Sequence, residues 1–67
     1  MRVARYKPNE PTPRADYVFY QCNICGDRLT SVPEDSTSCT CDNIRIDIDA
    51  HRLAIRDPEK VNIVYTD

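Results

Sequence analysis

The stretch Cys22-Asn23-Ile24-Cys25-Gly26, with its shorter counterpart Cys39-Thr40-Cys41, decides how this chain can fold. The two stretches hold all four cysteines of a 67-residue sequence, arranged as two close pairs. A structural zinc site needs four deprotonated sulfurs about 2.3 Å from the metal, and two tight turns that each present two sulfurs meet that need. The pattern therefore predicts one structural Zn²⁺ bound by Cys22, Cys25, Cys39 and Cys41.

Other uses of four cysteines stay open at this point. Small secreted disulfide scaffolds usually scatter their cysteines along the chain, whereas paired cysteines favour a metal. A four-sulfur site can also hold iron in place of zinc. A CxxC pair can carry out thiol redox chemistry, but such a pair normally opens a helix of a βαβ unit, and no helix is predicted here. Zinc is the preferred interpretation; disulfides, iron and a redox pair are the alternatives.

The small size of the chain predicts a metal or a cross-link. A domain of this length typically gains only about 3–5 kcal/mol from its core, and this one has a single Phe and no Trp. No apolar run approaches the roughly 18 residues of a membrane span, and no hydrophobic stretch follows the N-terminal residues to form a signal peptide. We therefore expect a cytoplasmic protein, in which thiols stay reduced.

The first half of the chain predicts two strands around the first cysteine pair. Residues 16–21 form the densest cluster of β-forming side chains and run directly into Cys22, and residues 27–32 read as the returning strand. Gly26, the only glycine, stands where a turn with positive φ is expected, immediately after the second cysteine. A polar loop at residues 33–38 then leads to the second pair.

The second half predicts more strands. Ile44, Ile46 and Ile48 alternate with charged residues, which indicates a half-buried strand. Turn signals separate it from strands at 52–56 and 61–65. The predicted fold is a small all-β zinc β-ribbon with two cysteine knuckles and a short antiparallel sheet. Three strands of that sheet come from Asn43–Tyr65, with the 16–21 strand packed nearby; residues 61–65 could be an exposed edge that pairs with a second copy.

Proline and charge set the N-terminal residues apart. Three of the five prolines fall within residues 1–15, together with four basic side chains and one acidic side chain. We interpret residues 1–15 as an extended, basic, Pro-rich arm and residues 16–67 as the zinc-ribbon domain, although residues 3–6 could pair as a short edge strand. The basic side chains are Arg2, Arg5, Lys7 and Arg14.

Acidic residues near the second cysteine pair are the remaining candidates for chemistry. Asp42, Asp47, Asp49 and His51 lie close in sequence. Surface carboxylates near arginines are usually solvated, and four cysteines already saturate tetrahedral zinc. We predict no catalytic residue and no organic cofactor.

The cysteine motif resembles a known group of proteins. Cys22-x-x-Cys25-Gly26-Asp27-x-Leu29-x-Ser31, followed by Cys39-x-Cys41-x-Asn43-Ile44-x-Ile46-Asp47, is similar to the short zinc-ribbon proteins of unknown function found in bacteria and their phages. The resemblance covers about residues 20 to 56. Those proteins typically carry a glycine after the last cysteine, where this chain has Asp42. The resemblance implies a small zinc β-ribbon and no known activity.

The function expected from these features is a non-enzymatic interaction module that binds another protein, such as a phage or prophage accessory protein acting on a host protein. The exposed side chains expected to make the contact are Asp47, Asp49, Arg45, Arg52 and Arg56. One alternative is a nucleic-acid-binding zinc ribbon that uses the basic arm. Another is a thiol redox protein. The oligomeric state is open between monomer and homodimer.

Overall fold

The computed structural model describes residues 1–50 and 52–66, which form two antiparallel sheets and one short 3₁₀ helix. The first sheet has the strand order β1-β7-β2-β3 and the second has the order β4-β5-β6. This confirms the small all-β fold. Within these residues, no helix is long and apolar enough to cross a membrane. The elements are β1 (Arg2–Arg5), β2 (Val18–Cys22), β3 (Arg28–Thr30), β4 (Thr37–Ser38), β5 (Ile44–Asp47), β6 (Arg52–Ile55), the 3₁₀ helix (Pro58–Lys60) and β7 (Val61–Tyr65).

Strand β2 is an inner strand of the first sheet and ends at the first cysteine. Its residues alternate between fully buried and half-buried, with Val18, Tyr20 and Cys22 inside. It pairs with β3 on one side and with β7 on the other. The strand predicted at 16–21 is confirmed, but it begins two residues later, at Val18, and it includes Cys22 as its last residue.

The alternation predicted for β5 is confirmed from Ile44 to Asp47, whereas Ile48, which was expected to continue it, lies in the turn that follows. Ile44 and Ile46 are buried, whereas Arg45 and Asp47 are exposed. Side chains of β5 join those of β2 and β7 in one hydrophobic cluster, so the core lies between the two sheets. That cluster also contains two of the cysteines, and its fully or largely buried members are Val18, Tyr20, Cys22, Cys39, Ile44, Ile46, Val61 and Ile63.

The prediction of a three-stranded sheet from Asn43–Tyr65 is wrong. Strand β7 does not join the sheet of β5 and β6; it lies between β1 and β2 in the other sheet. Val61, Ile63 and Val64 are all at most 3% exposed, so β7 carries apolar side chains toward both faces and needs cover on both. Because β7 is a central strand, it is also not the exposed edge that was expected to pair with a second copy.

The N-terminal residues are tied to the first sheet at several points. Strand β1 pairs with β7 along its length, as the alternative interpretation of residues 3–6 allowed. The Ser31 hydroxyl accepts a hydrogen bond from the Ala15 amide (3.0 Å) and donates one to the Ala15 carbonyl (2.9 Å). The Tyr20 hydroxyl donates to the Pro13 carbonyl (2.9 Å). The division of the chain into an arm and a domain at residue 15 stays a prediction.

Asn43 joins the second cysteine pair to the turn before β7. This side chain is 2% exposed. Its amide nitrogen donates to the Asp57 carbonyl (3.2 Å), and its carbonyl oxygen accepts from the Asp57 amide (2.7 Å). One buried side chain thus satisfies both main-chain groups of Asp57, which also caps the 3₁₀ helix.

Replacing Asn43 with Ala should lower the free energy of unfolding by about 1–3 kcal/mol, because the Asp57 amide loses its hydrogen-bond partner and the Asp57 carbonyl keeps only the Lys60 amide. Denaturant unfolding at a fixed zinc concentration measures the change. The matched control is Asn9→Ala, since Asn9 is exposed and outside both sheets. Equal stability of the two variants would show that Asn43 does not connect these segments.

Candidate metal centre

The four cysteine sulfurs converge on one point. Their Sγ atoms all lie within 4.8 Å of one another, with 3.4 Å between those of Cys22 and Cys41 and 3.7 Å between those of Cys39 and Cys41. Four sulfurs placed tetrahedrally around a zinc ion at about 2.3 Å are about 3.8 Å apart. All four cysteines are free. The cluster could therefore hold a metal ion, with every cysteine that the sequence predicts contributing a sulfur.

The two cysteine turns share one plan. We call residues 22–26 the first knuckle and residues 39–42 the second knuckle. In each, the first cysteine is buried and the second is half-buried. In each, the amide of the residue after the second cysteine donates to the carbonyl of the first cysteine: Gly26 to Cys22 at 2.9 Å and Asp42 to Cys39 at 3.0 Å. The hydrogen bond spans four residues in the first knuckle and three in the second, and each knuckle brings both of its sulfurs into the cluster.

Each knuckle ends at a residue with a positive φ angle. Gly26 has φ of 82°, as the sequence predicted, and Asp42 has φ of 63°. A Cβ on Gly26 would meet no atom within 4 Å, so backbone conformation rather than crowding favours glycine there. Asp is among the few non-glycine residues that tolerate the left-handed region. Asp42 thus adopts at the end of the second knuckle the left-handed conformation that Gly26 adopts at the end of the first.

Backbone amides point at the sulfurs. The amide of Ile44 donates to the Sγ of Cys39 at 3.2 Å. Burial raises the pKa of Cys22, but two amides of the first knuckle and neighbouring thiols lower it more, so that the pKa falls from 9.0 to about 7. Such hydrogen bonds stabilise thiolate charge and orient the ligands of a metal.

The four thiols do not ionise independently. At Cys41 the Asn43 amide lowers the pKa, but burial and the hydrogen bonds of the three other thiols together raise it to about 12. One thiol of the cluster therefore gives up its proton near neutral pH and another holds it. A cation at the centre of the cluster is the group that would stabilise all four as thiolates, because it supplies the opposite charge that the protein lacks there.

Asp27 connects the two knuckles, a role that the sequence analysis did not predict. Its carboxylate accepts hydrogen bonds from the amide of Thr40, at 2.7 Å, and from the Thr40 hydroxyl. These two bonds, the hydroxyl first, lower the pKa of Asp27. Thr40 lies between the two cysteines of the second knuckle, while Asp27 directly follows the first. Nothing in the local pattern marks such a contact, because it joins residues thirteen positions apart.

Among the described residues, the other acidic candidates are not brought together as a second site. The Asp47 carboxylate accepts hydrogen bonds from the amides of Asp49 (3.2 Å) and Ala50 (3.3 Å), so Asp47 shapes the turn after β5. Asp42 and Asp49 are exposed. His51 lies outside the described residues. Among the residues that the structure describes, the cysteine cluster is the one group of metal-binding side chains with its ligand atoms brought together.

Comparison with known proteins gave no match to this chain, whether among family models, curated proteins or solved structures. The resemblance to the short zinc-ribbon proteins of bacteria and phages therefore stays a prediction. What the chain shows by itself is a small all-β protein of two antiparallel sheets with a four-cysteine cluster able to hold a metal ion.

Replacing Asp42 with Gly should leave stability unchanged or raise it by up to about 1 kcal/mol, and Asp42→Ala should lower it by about 1 kcal/mol, because Ala is strained at positive φ and Gly is not. Thermal unfolding of the metal-loaded variants measures both effects. Asp35→Gly and Asp35→Ala are the controls, since Asp35 is exposed and has negative φ; Ala should not be the worse replacement there. An Asp42→Gly protein less stable than Asp42→Ala would contradict the conformational explanation.

Proposed function

We propose that this protein is a non-enzymatic interaction module, that one structural Zn²⁺ bound by Cys22, Cys25, Cys39 and Cys41 stabilises its fold, and that its partner is another protein. The observation that supports the metal most directly is the convergence of four sulfurs within 4.8 Å. Four protein ligands complete the tetrahedral coordination of zinc and leave no position for a substrate or an activated water. A site of this kind stabilises a fold rather than catalysing a reaction.

Zinc suits the site better than the other metals considered. The ligands are all thiolates, which select zinc or iron. Structural zinc supplies about 10–16 kcal/mol to the folding of small zinc-finger peptides, far more than the core of a domain this size contributes. Iron is the variant expected after overexpression. Disulfides would require the cluster to rearrange, since its cysteines are free and turned toward a common centre.

Charge favours a protein over a nucleic acid as the partner. The chain has a formal charge of −2, and four thiolates around one Zn²⁺ make the folded protein more acidic, which repels a phosphate backbone. The basic side chains near the N-terminus are also partly engaged within the protein: Arg2 lies 4.3 Å from the ring centre of Tyr65, and Lys7 pairs with Glu10 at 3.5 Å. Cytoplasmic location and a phage or prophage origin accompany this proposal as predictions.

The zinc can be tested first, by native mass spectrometry and circular dichroism of the purified chain with and without a chelator. We expect one zinc per chain and loss of the β-sheet spectrum when the chelator removes it, because the core alone is too small. Rapid alkylation of the thiols should appear only after chelation. A folded, metal-free protein, lighter by the hydrogens lost to disulfides, would overturn the structural-zinc proposal.

The class of partner can be tested by capture from the source cells with the zinc-loaded chain, before and after nuclease treatment. A discrete protein that is retained in both samples, and that the chelated chain does not retain, is the expected result. Neutralising Arg2, Arg5, Lys7 and Arg14 together should leave that capture unchanged. Retention that disappears with nuclease, or with those four substitutions and with added salt, would favour nucleic acid and overturn a protein partner.

A further inference from the structure

Strand β6 has an open edge. It pairs with β5 alone in the second sheet. The Arg56 amide donates to the Asn43 carbonyl (2.9 Å). This bond shows which residues of β6 direct their main-chain groups toward β5. In an antiparallel pair every second residue bonds to its partner, so the main chains of Ala54 and Arg52 face β5 and those of Leu53 and Ile55 face away. Among the described residues, no hydrogen bond occupies the outward groups of Leu53 and Ile55.

Arginines flank this edge on the outer face of the sheet. Arg52 and Arg56 lie on either side of Ala54 along one face of the strand, and Arg45 on β5 is directly opposite Ala54. All three arginines are exposed. Within the described part of the chain, none of them forms a salt bridge or donates a side-chain hydrogen bond. Their guanidinium groups are therefore available to a ligand.

The small Ala54 side chain leaves space between the arginines. One hollow beside it, of about 510 Å³, is lined by Arg45, Arg52 and the hydroxyl-bearing residues of β4. A second, of about 220 Å³, lies between Arg45 and Arg56. The acidic side chains near these hollows are Asp47, which already accepts two amides of its own turn, and Asp42. The face thus presents three arginines against two carboxylates on a protein whose overall charge is negative.

We propose that the β6 edge binds an extended, acidic segment of a partner protein, which adds as a further strand to the second sheet. This rests on the proposed function and names the chemistry of the partner. The outward main-chain groups of Leu53 and Ile55 supply the ladder hydrogen bonds. Carboxylates on alternate residues of the segment point to the same face and meet Arg52 and Arg56, and guanidinium groups bind carboxylates in bidentate geometry.

Charge selects an acidic segment over a second copy of this chain. Two β6 edges in antiparallel contact would place arginines opposite arginines, and like charges directly opposite destabilise a strand pair. The edge of β1 is a poorer candidate for the same segment. Arg2 and Arg5 fall on opposite faces of that strand, and the Arg2 guanidinium already lies over Tyr65.

The test is a titration of the full ¹⁵N-labelled chain with a short peptide of alternating Glu and Thr, followed by NMR. The amides of Leu53 and Ile55 should show the largest shifts and slower hydrogen exchange in the complex. The double variant Arg52→Glu/Arg56→Glu should weaken binding by about tenfold or more, which corresponds to about 1.4 kcal/mol. The matched control is Arg5→Glu/Arg28→Glu, which makes the same change of charge at exposed positions on the two edges of the first sheet and should retain the affinity.

The proposal would be overturned by the absence of shifts at Leu53 and Ile55, by equal weakening in both double variants, or by equal binding of a peptide in which Gln replaces Glu. Preferential binding of a single-stranded oligonucleotide at this face would also overturn it, in favour of a phosphate ligand. The proposed function is judged separately. If zinc-loaded Arg52→Glu/Arg56→Glu protein still captures the partner from cells, only the assignment of the β6 edge fails.

Discussion

Four thiol groups held within 4.8 Å of one another are the constraint on which the rest of this structure depends. Burial disfavours thiolate charge, and each thiolate opposes the next, so the cluster cannot be fully ionised without a cation. Backbone amides point toward the sulfurs, and a short hydrogen-bonded turn closes each knuckle, from Cys22 to Gly26 in the first and from Cys39 to Asp42 in the second. The first cysteine of each pair belongs to the hydrophobic core, so the core and the cluster form one unit.

The links around the cluster explain how two small sheets act as one fold. Asp27 binds the second knuckle from the first, and Asn43 binds the turn that leads into β7. The amide of Asn23 in the first knuckle donates to the Lys60 carbonyl at 2.7 Å, at the other end of the same turn. Each knuckle is therefore anchored both to the other knuckle and to the segment that connects the sheets.

Local pattern was enough to predict most of the strands and the four cysteines that come together, and not enough to predict which strands pair with one another. The alternation around Ile44 and the position of Gly26 depend on nearest residues in the chain, and both were confirmed. The partners of β7 depend on which sheet can cover Val64 as well as Ile63, which is a property of the assembled core. The contacts of Asp27 and Asn43 were not predicted for the same reason: the hydrogen-bond partner of a carboxylate or an amide is known only when the fold brings the two groups together.

The place of β7 in its sheet affects the order in which the protein folds. Strands β1 and β2 both pair with β7, so neither has this shared neighbour until Val61–Tyr65 joins the sheet. The second sheet, in contrast, forms between segments that follow one another closely and can be complete earlier. Until β7 joins its sheet, β2 exposes the aromatic and β-branched side chains of Val18, Phe19 and Tyr20, and a metal captured early by the two knuckles would hold β2 beside the second sheet.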